Sequence, residues 1–332
     1  MKTFLENLKA LSLARGTSGD EGTVRKMIYE EVLSYPDCIA KTDNAGNLIV
    51  SKKGKNEPKN KLMFSAHMDE VGFIITHIDE NGFLKFGNVG GIDSRVIVGK
   101  RVLVGENALP GLLGSKAIHL VKKEEFDTPT KTDSLYIDIG ADSREEAEKL
   151  VKLGDRAVFD SDFDEFGSGC VMGKALDDRA GCAILMELLK EEAEYDFTAC
   201  FTVQEEIGGN GASSAAFTVE PDLAVVVEAT SAGDFPSVPG EKFICNRAKA
   251  RLFPSGITAP FMIWSFITIL WSFAKKKTFP FRPSTASAAL MTQNSFTSPA
   301  EAFARWRFLF PQDTYTALMQ ASDFAMRKIP SP

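Results

Sequence analysis

Histidine is scarce in this chain: three in 332 residues, at His67, His77 and His119. Cysteine is little used. Cys38, Cys170, Cys182, Cys200 and Cys245 stand without CxxC spacing, so no paired-thiol motif is present. Cys182 and Cys200 lie in apolar surroundings and read as small core residues. That usage fits a reducing, cytoplasmic setting. Excess positive charge is also missing. With 38 Lys and Arg against 45 Asp and Glu, the net charge is −7, and nothing argues for a nucleic-acid partner. The first residues, Met1–Glu6, have polar breaks every few positions and do not read as a signal peptide. One uncharged stretch, Leu252–Ala274, has the length of a membrane span. Pro254, Gly256, Pro260 and several Ser and Thr interrupt it, so no membrane partner is expected. The rest is ordinary for a soluble globular protein, 44% hydrophobic and 25% charged, and long enough for two domains.

The totals conceal a change of composition. Residues 1–251 carry 30 basic and 42 acidic side chains, whereas residues 252–332 carry 8 and 3. The last 81 residues also hold all three Trp, a single Gly and no His. Composition rarely changes this abruptly inside one folded domain. After Pro280-Phe281-Arg282-Pro283 there is no clear helical or strand period.

Before that point the chain alternates helices and strands. Apolar spacing predicts helices over residues 4–15 and around Val24–Leu33. Cys38–Lys53 alternates about the turn Asn44-Ala45-Gly46-Asn47 and reads as a hairpin. Lys52–Lys61 reads as a charged loop, and Leu62–Ala66 as a buried strand ending at His67. From Val71 to Val158 short strands alternate with Gly turns. They are expected at Gly72–Ile78, Phe83–Val89, Val96–Val104, Gly111–Val121 and Leu135–Ile139, giving a small β-barrel or sandwich inserted in the first domain. Ser143–Lys152 reads as a helix opened by a capping box of Ser143 and Glu146. The α/β pattern then resumes with a helix over Cys182–Glu192, a strand over Asp196–Gln204, a helix start in Gly208–Phe217 and a strand over Leu223–Glu228. The fold class expected is α/β: a mixed-sheet domain with an inserted small β-rich domain.

Chemistry concentrates where apolar segments end. His67 and Asp69 follow one strand, and Asp177 and Asp178 precede a helix. Glu205 and Glu206 close a third segment and Glu228 a fourth. One Asp suffices to cap a helix; four apolar segments that each meet a His or an acid point to a metal site at the carboxyl edge of a sheet. Imidazole and carboxylate suit Zn²⁺, Mn²⁺ or Co²⁺, and one carboxylate can bridge two such ions. Of the adjacent Glu205 and Glu206, one can ligate while the other takes a proton from water. Asp69, two residues after His67, can orient the imidazole. His77 reads as structural and His119 as a packing or interface residue.

These residues lie in motifs that resemble a known family. Ser65-Ala66-His67-Met68-Asp69-Glu70-Val71-Gly72, Ala175-Leu176-Asp177-Asp178-Arg179 and Gln204-Glu205-Glu206-Ile207-Gly208 are similar to the dinuclear-metal aminopeptidases that assemble into tetrahedral dodecamers. Gly111–Lys116 with Ile118-His119-Leu120, Tyr136–Ala141 and Glu228–Pro236 extend the likeness, which covers about residues 1–250. The resemblance implies an aminopeptidase that hydrolyses N-terminal residues of short peptides with water activated by two divalent ions, in a homo-oligomer as large as a dodecamer. It implies His67 as ligand of one ion, Asp177 as the bridge, Glu206 as ligand of the other and Glu205 as general base. Glu228 stands where the family often has a ligating Asp, and Asp178 where it often has Asn. The catalytic α/β domain would then be residues 1–70 and 160–250, with residues 71–159 as an oligomerisation lobe.

Residues 251–332 depart from that family, which typically ends in an Arg-Tyr-x-His-Ser-Pro segment whose His is the last ligand. No His follows His119 here. Plausible codons for Thr278–Leu318, taken in another frame, yield text resembling the family's C-terminal portion, so the tail reads as out of frame. Two other readings stay open: a catalytically impaired product that keeps only the assembly lobe, and a related metal-dependent carboxypeptidase or deacylase.

Overall fold

In a computed structural model of the chain, residues 1–121, 130–167 and 170–229 are described, together with two short backbone strands at Leu252–Ser255 and Arg282–Ala288. Apart from those two strands, the tail read as out of frame lies outside the described residues.

In chain order the elements are α1 (Phe4–Leu13), α2 (Gly22–Val32), β1 (Cys38–Thr42), β2 (Leu48–Lys52), β3 (Leu62–His67), β4 (Gly72–Ile78), β5 (Leu84–Val89), β6 (Arg101–Val104) and β7 (Leu109–Gly114). There follow β8 (Tyr136–Asp138), α3 (Arg144–Leu150), β9 (Arg156–Phe159), β10 (Asp164–Phe166), β11 (Cys170–Met172), α4 (Leu176–Lys190), β12 (Phe197–Thr202), α5 (Asn210–Val219) and β13 (Leu223–Val226). The chain divides into two compact units. One holds residues 1–11, 25–68 and 176–332; the other holds 12–24 and 69–175.

The first unit is built on a five-stranded mixed sheet in the order β1-β2-β12-β3-β13. β3 runs parallel to both β12 and β13, while β2 is antiparallel to β1 and β12. All six residues of β3 are buried, so both faces of the sheet are covered. Ile49, Met63, Cys200 and Ala224 form one face, closed by Ala215, Ala216 and Val219 of α5. Phe64 and Phe197 meet edge-on on the other face, 5.4 Å between ring centres, and α4 packs against β3 and β12. Lys52 belongs to β2, not to the charged loop expected from residue 52. It is buried because its ammonium donates to two carbonyls, Pro36 O at 2.7 Å and Leu189 O at 3.0 Å. The second carbonyl lies in the last turn of α4, the negative end of that helix.

The second unit is a closed barrel, β4-β5-β8-β7-β6-β9, in which every pairing is antiparallel. Phe73, Ile75, Leu84, Val102, Leu113 and Ile137 fill its interior. Closure leaves no exposed sheet edge. Two expected strands are shorter than the sequence suggests. Residues 94–99 form turns, because the Asp93 carboxylate accepts from the Arg95 backbone N–H (2.9 Å) and side chain, an Asx turn that overrides the β-branched alternation of Val96–Val98. β7 ends at Gly114, which pairs with Tyr136, the first residue of β8; beyond it the neighbouring strand is used up. The helix expected near residue 143 forms, with Ser143 Oγ accepting from the Glu146 N–H at 3.3 Å. The return bond of the cap reaches the Asp142 N–H at 3.0 Å. Buried in the same unit, Glu70 pairs with Lys174 (2.7 Å), whose ammonium also donates to Ala14 O.

Candidate metal centre

Three adjacent parallel strands end at the same edge of the sheet, and the chemistry gathers there. Register places Thr202 opposite His67 and Val226 opposite Ser65. The residues after β12 and β13 therefore emerge beside the end of β3. His67 is the last residue of β3; Glu205 and Glu206 follow β12; Glu228 follows β13. Asp177 and Asp178 enter from the start of α4, where their backbone is not yet helical.

The side chains converge. Donor atoms of His67, Asp177 and Glu228 all lie within 4.8 Å of one another, and so do those of His67, Glu205 and Glu206. His67 Nε2 stands 3.4 Å from Asp177 Oδ1. That oxygen is buried and has no hydrogen-bond donor among the described residues. His67 and Glu228 are buried, while Glu205 and Glu206 are half-buried. Thus the five residues read from sequence as ligands or base share one cluster. Asp69 is buried in the other unit, where it accepts from Ser18 Oγ at 2.6 Å. His77 and His119 are exposed on the barrel unit.

Two local features present the acids. Gln204 adopts φ +57°, a left-handed conformation that costs a non-glycine residue about 1–2 kcal/mol, and the chain turns there before Glu205. Asp178 works differently. Its Oδ2 accepts from the His67 N–H at 3.3 Å, and its Oδ1 accepts from the N–H groups of Gly181 (3.1 Å) and Ala229 (3.2 Å). The Gly181 bond is the helix cap that the sequence allows. The other two bonds join the end of β3 to the segment after β13, and they depend on the fold. A Cβ on Gly181 would lie 2.4 Å from the Asp178 carboxylate, so only glycine permits this approach.

The electrostatics call for a cation. Burial, reinforced by Asp178, pushes the Glu228 carboxyl up to about 9. Burial raises Asp178 well above the usual carboxylate range, and neighbouring Asp177 adds to the effect. Without a cation Glu228 and Asp178 hold protons they would otherwise lose. The donor set of one imidazole and several carboxylates suits a borderline divalent ion. The bare Asp177 oxygen beside an imidazole nitrogen is an arrangement that such an ion satisfies from both sides.

Comparison with known proteins agrees with this chemistry. The sequence profile of the M42 glutamyl aminopeptidases matches residues 46–266. The chain belongs to the M42 glutamyl aminopeptidase family. A putative aminopeptidase of Acetivibrio thermocellus is 42% identical over 231 residues, covering 69% of this chain and 67% of that protein. Among solved structures, a TET aminopeptidase from the marine sediment archaeon Thaumarchaeota archaeon SCGC AB-539-E09 superposes with a TM-score of 0.83 at 27% identity, over 98% of this chain and 96% of the other. The Pyrococcus horikoshii TET1 peptidase, described as assembling into a tetrahedron or a large octahedral shell, gives 0.74 at 28% identity over 98% and 100%. As an M42 peptidase the chain is a metal-dependent aminopeptidase, and the mixed-sheet unit with a small β-rich unit is the fold of those neighbours.

Glu228 makes the cation measurable. Its folded value of about 9 lies above the ordinary 4.5, so between these values the folded, cation-free state binds more protons than the unfolded state. Stability must then fall as pH rises through that window. Thermal melts of chelated protein are expected to show Tm dropping from about pH 5 to about pH 8, and added Mn²⁺ or Zn²⁺ raising Tm more at the upper pH. A metal-induced rise of equal size at both pH values contradicts this.

Proposed function

We propose that His67, Asp177 and Glu228 hold one divalent ion, that Asp177 and Glu206 hold a second, and that Glu205 is the general base in releasing N-terminal residues from short peptides. The convergence of all five residues at one sheet edge carries this reading. The ions, which we take to be Zn²⁺, Co²⁺ or Mn²⁺, supply Lewis acidity that polarises the scissile carbonyl and lowers the pKa of water. Glu205 accepts a proton from the attacking water as its oxygen bonds to the carbonyl carbon. It then passes that proton to the amine nitrogen as the C–N bond breaks. Asp69, next but one to His67 in the chain and buried, is assigned to orienting the imidazole.

The same reading extends to assembly and setting. The segment 71–159, which contains the barrel strands β4 to β9, is taken as the lobe through which copies assemble, as in the shells described for the Pyrococcus horikoshii peptidase. A cytoplasmic location is supported by the thiol form of the four described cysteines, Cys38, Cys170, Cys182 and Cys200. Among the described residues no helix is long and apolar enough to cross a membrane.

Glu205→Gln keeps the shape of the side chain and removes the base. Its kcat on aminoacyl test substrates is expected to fall about 10²–10⁴-fold with metal content unchanged. Full activity in the variant, or wild-type cleavage confined to N-acyl substrates, overturns the assignment. The second ion lacks the histidine that the family's C-terminal segment supplies, so calorimetric titration should resolve one tight and one weaker site; two tight, equal sites contradict it. Light scattering should give the mass of a closed oligomer, and a monomer at all concentrations argues against the assembly role of the barrel.

A further inference from the structure

The Asn44-Ala45-Gly46-Asn47 turn reads from sequence as a hairpin connection and no more. In the structure Asn47 is fully buried, and its side chain also reaches beyond the hairpin. Asn47 Oδ1 accepts from the Val203 N–H at 3.0 Å. Its Nδ2 donates to Gly211 O at 2.9 Å and to Asp43 Oδ2 at 2.7 Å. Val203 and Gly211 are the two ends of the loop that carries Glu205 and Glu206, and the Gly211 N–H also bonds Val203 O at 3.1 Å. One amide group therefore spans the neck of the acidic loop.

Three observations indicate that the neck is built to a tolerance. A Cβ on Gly211 would lie 2.2 Å from Val203 O and 2.6 Å from Asn47 Oδ1, so the two strands of the neck approach as closely as glycine allows. Gln204, just inside the neck, holds its left-handed φ of +57°, a conformation that persists only where the surroundings impose it. Asp43 fixes the amide in turn. Its Oδ1 accepts from the backbone N–H groups of Ala45, Gly46 and Asn47, and its Oδ2 also accepts from Ser214 Oγ in α5 at 3.2 Å. The donor–acceptor pattern admits only an amide. An oxygen is required towards Val203, and an N–H₂ is required towards a carbonyl and a carboxylate.

We propose that Asn47 is a positioning residue for the reaction. By clamping Val203 to Gly211 it sets where Glu205 and Glu206 stand relative to His67. This rests on the roles given above to Glu205 and Glu206. It adds a group that touches neither substrate nor metal and lies more than 150 residues earlier in the chain.

The test uses the full chain with Asn47→Ala, Asn47→Asp and Ile28→Ala. The last is a core deletion in α2 at a buried position that none of the Asn47 hydrogen bonds involves. Hydrogen exchange of the peptide spanning Gln204–Gly211, Co²⁺ titration and kcat/KM are read together. Both Asn47 variants are expected to exchange faster in that peptide and to lose about 10- to 100-fold in Co²⁺ affinity or kcat/KM, with the loss in kcat rather than KM. Ile28→Ala lowers Tm but leaves the three readouts near wild type. Asn47→Asp keeps the side-chain shape and the Val203 acceptor, so it carries the test if Asn47→Ala does not fold. Wild-type exchange and affinity in the Asn47 variants overturn the proposal, as does an equal change in Ile28→Ala. A wild-type protein that binds Co²⁺ yet cleaves no aminoacyl substrate sinks the functional reading instead, while exchange and titration still judge Asn47.

Discussion

Repulsion among acids governs the centre of this protein. Asp177, Glu205, Glu206 and Glu228 are brought to one imidazole at the end of three parallel strands. Glu228 is buried and stripped of the water that would tolerate its charge. The folded chain meets that cost partly by holding protons, which is why the Glu228 carboxyl rises to about 9. Such an arrangement becomes favourable when divalent ions replace the protons.

Around the metal-site acids, hydrogen bonds to the backbone do the holding. Asp178 turns its carboxylate to backbone N–H groups at the end of β3, the start of α4 and the segment after β13. Asn47 does the same with an amide at the neck of the Glu205–Glu206 loop. Both use side chains to bond backbone groups where strands and helices begin and end, which helps carry an irregular loop inside a folded unit. Loops set by such bonds lose less freedom when a ligand arrives than loops on the open surface do.

Much of this was legible before the fold was seen. The hairpin about residues 44–47, the buried strand ending at His67, the helix after Asp178 and the strands before Glu205 and Glu228 all follow from apolar spacing. The ligand candidates follow from acids placed at strand ends. Other features were hidden for identifiable reasons. Val96–Val98 alternate like a strand, yet Asp93 captures the backbone of Arg95 and turns the chain. Lys52 has the composition of a loop residue but is buried, since two carbonyls from distant segments receive its ammonium. The small β10–β11 hairpin has too few residues to show a period.

Local pattern alone determined which segments are strands and helices, and which of them end in an acid or an imidazole, because those properties depend on neighbours a few residues away. The order β12-β3-β13, which sets those ends side by side, came only with tertiary pairing. So did the uses of Asp178 and Asn47. A capping acid and a turn amide have the same local signature wherever they occur, and their long-range partners here lie 51 to 164 residues along the chain. Long-range backbone donors and acceptors leave no trace in sequence spacing, and folding is what brings them within bonding distance.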